Sequence, residues 1–300
     1  MEDEPLGENM SALQFLKAGD LAKAQSALQD EVRNNPSDPK LRVFLFQLYS
    51  ILGQSERALN QLNVLRDLSR DAMTLVQTYQ EALQCDSLRE NVFDGKRTPL
   101  VFGQPEEWIA MMINALSMGA NPAAASELRS LALDKASAVA GVITFYPKHQ
   151  PKDETPPSDD GKKETKESFE WIADADSRIG PVFEAIIHGK YYWVPAGCVR
   201  SVTLEKVTDL RDLVWLPAKF EWTNGGEAVA FIPTRYPKSN QHPDDSIKLA
   251  RTTQWTEVDE NTYFGVGLRI LATDQGEYAL TDIARIEFQQ PESDLHASRG

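Results

Sequence analysis

Apolar residues in the first half of the chain recur with the spacing of an amphipathic helix. Leu21, Ala24, Leu28 and Val32 fall on one stripe, because residues three and four apart share a face of a helix. The stripe recurs after 34 residues, which is the period of the tetratricopeptide repeat. The offset aligns Phe15 with Tyr49, Gly19 with Gly53, Ala24 with Ala58 and Leu28 with Leu62. The pattern therefore predicts repeated helical hairpins.

Glycines mark the ends of the predicted helices. Gly19 and Gly53 stand where a helix must stop and the chain must reverse, and a left-handed backbone there has no Cβ penalty for glycine. Gly119, followed by Ala124 and Leu128, repeats the spacing in a third unit. These matches favour a tetratricopeptide-like solenoid over a generic helical bundle. Such solenoids hold peptides or helices in a concave groove.

Two segments between the second and third units complete the helical part. Residues 73–83 predict a further helix, whereas residues 88–102 depart from the repeat and are expected to be irregular. The helical domain is predicted to span residues 1–146.

Residues 147–167 contain no aliphatic or aromatic side chain. Such a segment cannot bury enough apolar surface to offset the entropy of ordering it, so we predict a flexible linker. Five of the six tryptophans follow it, which indicates that the composition of the chain changes there. A β-rich domain is predicted for residues 168–290 and a disordered tail for residues 291–300.

Short runs of β-forming residues follow the linker. Residues 219–222 and 228–232 flank the Asn-Gly pair at 224–225, which supplies the positive φ angles of a tight turn and predicts a β-hairpin. Residues 268–280 repeat that pattern, and residues 283–288 predict a last strand. Because no long helical segment separates the strands, we expect antiparallel pairing in a small α+β or barrel-like domain.

The charge of the chain restricts its partners. Its 31 basic and 45 acidic residues give a net charge of −14, which argues against nucleic acid and against an anionic membrane surface. No apolar run is long enough for a bilayer, and the N-terminus is acidic where a signal peptide would be basic. The only cysteines, Cys85 and Cys198, predict neither a disulfide framework nor a zinc site. We expect a cytoplasmic protein with a basic or neutral partner.

The densest polar cluster is a group of acidic residues at the start of the β-rich part. Asp174, Asp176 and Glu184 offer oxygen ligands for a divalent cation, and they form the basis of one hypothesis, a metal-dependent hydrolase. However, Arg178 competes for the same carboxylates, and calcium loops carry more oxygens at alternate positions. An ion pair with arginine or a capped turn is therefore the favoured interpretation.

A second polar group follows later in the β-rich part. It comprises Arg211, Arg235, Arg251 and Arg269, together with the neighbouring aromatic residues Tyr236 and Trp255. These arginines either neutralise the aspartates within the domain or form a basic pocket for an acidic partner or a small anion. An internal network is favoured, because buried charges must be paired.

The sequence contains little that predicts catalysis. Of its four histidines, only His188 lies in a segment that is expected to be ordered. The chain has no nucleophile elbow, no His-Glu-x-x-His helix and no phosphate-binding loop. We therefore predict a binding protein with no cofactor and no catalytic residues.

Six motifs of the chain, in order, resemble those of the ImpE family, also called SciE or TagJ, accessory proteins of bacterial type VI secretion. They are FEWIADADSRIGPVFE (169–184), GKYYWVPAG (189–197), DLRDLVWLPA (209–218), NGGEAVAFIPTRYP (224–237), LARTTQW (249–255) and GLR (267–269). The resemblance extends from the helical first half through residue 288.

The resemblance implies a cytoplasmic adaptor of the contractile sheath. Members of this family are expected to bind the N-terminal helix of the TssB-type small sheath subunit and to be associated with the ClpV-type disassembly ATPase. A helix laid in a groove suits a solenoid. No individual binding residues follow from the resemblance.

Overall fold

A computed structural model describes residues 11–147, 165–260 and 262–289 of the chain. The first half of this described part is helical, as predicted. Its helices are α1 (Ala12–Ala18), α2 (Leu21–Asn34), α3 (Pro39–Ile51), α4 (Ser55–Leu68), α5 (Met73–Phe93), α6 (Glu107–Ser117) and α7 (Pro122–Lys135). None of the described helices is long and apolar enough to cross a membrane.

The turns of the first two helical hairpins match the sequence prediction. Gly19 has φ of +82° and follows α1, and Gly53 has φ of +68° and precedes α4. Both glycines adopt the left-handed conformation that other residues avoid. The four residues of the predicted stripe in α2 are all buried: Leu21, Ala24, Leu28 and Val32. Consecutive helices from α1 to α5 contact one another.

Helix α5 is longer than the sequence predicts. Residues 88–93, which were expected to be irregular, form its last turns. The buried face of the helix continues through Cys85, Arg89 and Val92. Because Arg89 places a charge on an otherwise apolar stripe, the helical pattern is broken in the sequence although the helix itself continues.

The second half is built mainly from strands. They are β1 (Leu100–Val101), β2 (Gly141–Phe145), β3 (Thr165–Phe169), β4 (Ile172–Asp174), β5 (Val182–Ile187), β6 (Lys190–Pro195), β7 (Val199–Leu204), β8 (Trp215–Trp222), β9 (Glu227–Pro233), β10 (Thr253–Asp259), β11 (Thr262–Gly267), β12 (Ile270–Thr273), β13 (Glu277–Ala279) and β14 (Ile283–Phe288). A short helix, α8 (Asp245–Lys248), precedes β10.

Nine strands form one sheet in the order β1-β6-β5-β9-β8-β7-β14-β2-β3. Neighbouring strands are antiparallel except for the short β1, which runs parallel to β6. The predicted hairpin is present as β8 and β9, but of the Asn-Gly pair only Gly225 has a positive φ, +85°. The edge strands β1 and β3 do not pair with each other, so the described strands form an open sheet rather than a closed barrel.

The predicted boundaries of the linker differ from the structure at both ends. Strand β2 pairs with β14 and with β3, so Gly141–Phe145 belongs to the sheet and not to the helical part. Residues 165–167, which were assigned to the linker, lie in β3. A polar strand at the edge of a sheet carries no apolar alternation to reveal it. Residues 148–164 and the tail predicted for 291–300 lie outside the described residues.

The helices cover one face of the sheet. Phe46 of α3 and Tyr79 of α5 pack on Trp215 of β8, with ring centroids 6.4 and 5.6 Å apart. Every residue of β5 is buried, because Ile186 faces the helices and its neighbours Ala185 and Ile187 face a second apolar cluster. The helical and β-rich parts therefore share a core.

Two smaller sheets complete the fold. β10 and β11 form a two-stranded ribbon, and β4 pairs with β12, which in turn pairs with β13. These elements place the polar residues of the second half at the junction with the helices.

Candidate functional site

Glu184 is the centre of a buried cluster of charged side chains. It lies on β5, is completely buried and accepts hydrogen bonds from Arg89 Nε at 2.6 Å and Arg89 Nη2 at 3.0 Å. Arg269 Nη2 and the hydroxyl of Tyr191 also donate to its carboxylate. Two guanidinium groups and a phenol therefore surround one carboxylate.

Asp174 extends this cluster through Arg269. Its carboxylate forms an ion pair with Arg269 and accepts a hydrogen bond of 2.9 Å from the hydroxyl of Tyr236. Arg269 also donates from Nε to the carbonyl of Pro233 at 2.9 Å. We call the set of Asp174, Glu184, Arg89, Arg269, Tyr191 and Tyr236 the carboxylate–arginine network. It contains four of the residues that the sequence analysis singled out.

Asp176 and Arg178 form a second pair beside the network. The carboxylate of Asp176 accepts from Arg178 Nε at 2.9 Å and from the backbone N–H of Gly265 at 2.8 Å. The backbone N–H of Asp176 donates to Asp174 Oδ1 at 2.8 Å, which joins the pair to the network. This local ion pair is the arrangement that the sequence analysis favoured for these residues.

The two fully buried acids of the network have opposite pKa shifts. Burial raises the pKa of Asp174 to about 6, and Arg269 opposes this effect without cancelling it. Burial acts in the same direction on Glu184, but Arg89 and Arg269 together outweigh it and lower the pKa to about 2. The difference arises because Glu184 is bonded to two arginines, whereas Asp174 has one and lies beside Asp176.

Arg235 and Arg251 bind the carbonyl ends of two helices instead. Arg235 Nη1 donates to the carbonyl of Ile51 at 3.0 Å, and its Nη2 lies 3.5 Å from that of Ser50, in the last turn of α3. Arg251 Nη2 donates to the carbonyls of Leu16 at 3.0 Å and Lys17 at 3.3 Å, in the last turn of α1. A cation at this end of a helix is favoured by the helix dipole.

These contacts fall on equivalent positions of the helical repeat. Adding 34 to 16 and 17 gives 50 and 51, so the two arginines bind the same two carbonyls of successive units. Burial lowers the pKa of Arg235 to about 10, and this side chain is only 6% exposed, whereas Arg251 is exposed.

The remaining sequence candidates lie at the edge of this region. Arg211 pairs with Asp209 at 2.7 Å and lies over the ring of Tyr79, 5.1 Å from its centroid. Trp255 packs against Tyr236 with ring centroids 5.4 Å apart. Neither contacts the carboxylates of the network directly.

Arg89 and Tyr191 were not singled out from the sequence. Arg89 could have been found from the sequence, because it is a charged residue at a position between Cys85 and Val92 where the helical pattern predicts an apolar one. No feature of the sequence distinguishes Tyr191, since it lies in an aromatic run that is typical of any buried strand.

The geometry does not favour a metal centre at the predicted acidic residues. Asp174, Asp176 and Glu184 each pair with at least one guanidinium group, and these bonds occupy the oxygens that a cation would need. No group of three or more potential ligands is gathered elsewhere in the part of the chain that the structure describes. The cluster instead ties α5 to β5 and to the segments around β12.

Comparisons with known proteins agree with this architecture. The family model described as ImpE protein matches residues 166–287. The type VI secretion system accessory component TagJ of Pseudomonas aeruginosa is 43% identical over 282 residues, which cover 93% of this chain and 92% of that protein. A crystal structure of a protein from Vibrio parahaemolyticus superimposes with a TM-score of 0.78 at 22% identity, over 94% of this chain and 98% of that one, which shows a shared fold.

Proposed function

Because this chain belongs to the ImpE family, which includes the type VI secretion accessory component TagJ, we propose that it is a non-catalytic adaptor of that system. It binds the amphipathic N-terminal helix of the TssB-type small sheath subunit in the cytoplasm and assists sheath assembly or ClpV-linked disassembly. The observation that carries this proposal is the 43% identity to TagJ, which extends over both the helical and the β-rich parts.

The helical part supports a groove for a partner helix. Gly19 and Gly53 reverse the chain in the same left-handed conformation 34 residues apart, as in a tetratricopeptide-like unit. The helices that follow these turns, α2 and α4, bury the stripe that contains Ala24 and Ala58. Stacked hairpins of this type present one extended surface, onto which an amphipathic helix binds with residues at i, i+3, i+4 and i+7.

The β-rich part holds the helical units in place. Arg235 and Arg251 bind the carbonyl ends of α3 and α1, and Arg89 joins α5 to Glu184 of the sheet. These contacts fix the helical units relative to the sheet, so the partner binds a preorganised surface. This role explains why the charged residues of the family motifs are bonded within the protein.

Binding of the sheath helix is tested with the full-length protein. A synthetic peptide of the N-terminal helix of the cognate small sheath subunit is titrated by calorimetry, and we expect a dissociation constant of about 1 µM or less. The control peptide has polar residues at the apolar helix positions and the same net charge. Absence of binding to the native peptide, together with no co-purification with tagged sheath subunits, would overturn the proposal.

A further inference from the structure

A pocket of about 130 Å³ lies where the helical and β-rich parts meet. Its walls come from the turn between α3 and α4, from α5 and from the segment that follows β9. Three of its charged residues, Asp86, Arg89 and Glu90, lie on α5, and two, Arg235 and Lys238, lie on the segment after β9. The proposed function places the partner helix on the stacked helical hairpins, which share with this pocket the turn between α3 and α4.

The positive groups of the pocket are already bonded. Arg89 donates to Glu184 and to the carbonyl of Arg235. Arg235 donates to the carbonyls of Ile51 and Lys248. Lys238 forms an ion pair of 2.9 Å with Asp94. An anion entering the pocket would therefore have to break existing bonds.

The negative groups of the pocket are not bonded in this way. The half-buried carboxylate of Asp86 forms no ion pair with a residue that the structure describes, and only a weak contact from the indole of Trp215 acts on it as a hydrogen bond. Burial raises its pKa to about 6, although Arg89 and Arg235 lie near enough to oppose that shift. Glu90 receives one long contact, 3.5 Å from Asn240 Nδ2. The pocket thus has unused acceptors and no unused cation.

A neighbouring donor is also unsatisfied. The indole N–H of Trp215 is completely buried and has no hydrogen-bond partner, yet Trp215 is among the groups that lower the pKa of Asp86. The indole therefore lies close to the carboxylate, in a contact that lowers the pKa of Asp86 as a weak hydrogen bond does. A bond to the indole would still leave acceptor sites of the carboxylate free, since an ionised carboxylate has about four of them.

From these contacts we propose that the pocket binds a primary ammonium group, which pairs with Asp86 and is approached past Glu90. An ammonium is a compact charge with three rotatable donors, and it can bond one carboxylate and neighbouring serine hydroxyls together. Ser55 and Ser87 line the same pocket. The source of the ammonium is either a lysine side chain of a partner protein or a free alkylamine.

The test uses the indole N–H signal of Trp215 in the full-length, nitrogen-15-labelled protein. Butylammonium chloride is titrated at pH 7.5, with butanol as the uncharged ligand of equal length and sodium chloride as the salt control. We expect a saturable shift with butylammonium alone, and binding weakened about ten-fold or more in Asp86→Asn. Asp71→Asn, at an exposed position of the same charge, serves as the matched variant and should bind like the wild type.

A second arm distinguishes the two sources. Acetyl-lysine-methylamide, which has free peptide groups on either side of the side chain, is compared with butylammonium. Tighter binding of the lysine compound supports a protein partner, and tighter binding of butylammonium supports a free amine. No saturable shift with either compound, or an equal shift in Asp86→Asn, would overturn the proposal. Neither result depends on whether the sheath helix binds.

Discussion

Replacing Glu184 by glutamine keeps the size of the side chain and removes its negative charge. In the wild type, this carboxylate is the shared acceptor of Arg89 and Arg269 and also accepts from Tyr191. In the variant, two buried guanidinium groups lose their common counter-charge. The amide group of glutamine must also direct its own donors towards one of them. We therefore expect Glu184→Gln to destabilise the protein strongly.

The expected magnitude follows from two independent arguments. The pKa of Glu184 falls from 4.5 to about 2, and about 2.5 pKa units at roughly 1.4 kcal/mol each favour the ionised form in the folded state by about 3 kcal/mol. Removing one partner of a buried ion pair generally costs about 3–5 kcal/mol. A loss in this range is a large part of the roughly 5–15 kcal/mol that stabilises a typical domain.

Urea denaturation at pH 7, followed by tryptophan fluorescence, measures this loss. Glu221→Gln is the matched control, because Glu221 lies 3.6 Å from Arg285 in a partly exposed pair and should cost about 1 kcal/mol or less. Since folding lowers the pKa of Glu184, its stabilisation is fully present above pH 4.5 and is lost as the pH falls towards 2. The difference between wild type and Glu184→Gln should shrink over that window.

Equal effects of the Glu184 and Glu221 substitutions would contradict this prediction. If Glu184→Gln and Glu221→Gln lowered the free energy of unfolding by similar small amounts, with unchanged urea slopes, the network would contribute little to the junction. A double-mutant cycle that combines Glu184→Gln with Arg89→Met then measures the coupling energy between these two side chains. A coupling energy near zero would show that the ion pair between α5 and β5 is absent in solution.

Three further predictions concern the same region. Arg235→Met should cost about 2–3 kcal/mol in urea denaturation, because the carbonyls of Ile51 and Lys248 lose a charged donor. Arg251→Met, at an exposed site, should cost less than about 1 kcal/mol, and equal losses would contradict the difference in burial. Asp86→Asn should be more stable than the wild type above pH 6, by up to about 3 kcal/mol, because burial raises the pKa of Asp86 from 3.8 to about 6 and its ionisation therefore opposes folding. This difference in the free energy of unfolding should vanish below pH 3.8, and a destabilised variant at pH 7 would show that the carboxylate is already paired. Millimolar magnesium, manganese or calcium should leave the midpoint of thermal unfolding unchanged, because the oxygens of Asp174 and Asp176 are bonded to arginines. A rise of this midpoint that disappears when both aspartates are replaced by Asn would support the hydrolase hypothesis.

Local features of the fold were predictable from the sequence. Gly19 and Gly53 stand where the chain turns with a left-handed backbone, which glycine adopts at no steric cost, and Gly225 does the same in the turn between β8 and β9. Asp176 and Arg178 are two residues apart, so the bond between these two side chains is also a short-range one, although Gly265 donates to the same carboxylate. Each of these features is set by interactions within a few positions of the chain.

Features that depend on distant residues were not predictable. Arg89 and Glu184 are separated by 95 residues, and nothing near either of them indicates the other. Strand β2 was assigned to the helical part because its partners β14 and β3 lie beyond the charged segment. The ribbon of β10 and β11 was missed as well, because its exposed first strand has no apolar alternation.

The equivalent contacts of Arg235 and Arg251 have a consequence for how this protein can change over evolutionary time. Repeat proteins ordinarily gain or lose whole units with little penalty, because each unit contacts only its neighbours. Here two successive units are each bound by an arginine held at a fixed place beside the sheet. Inserting or deleting 34 residues between those turns would move one helix end away from its arginine. The number of helical units is therefore constrained by the β-rich part, whereas a solenoid without such a domain can gain or lose units freely.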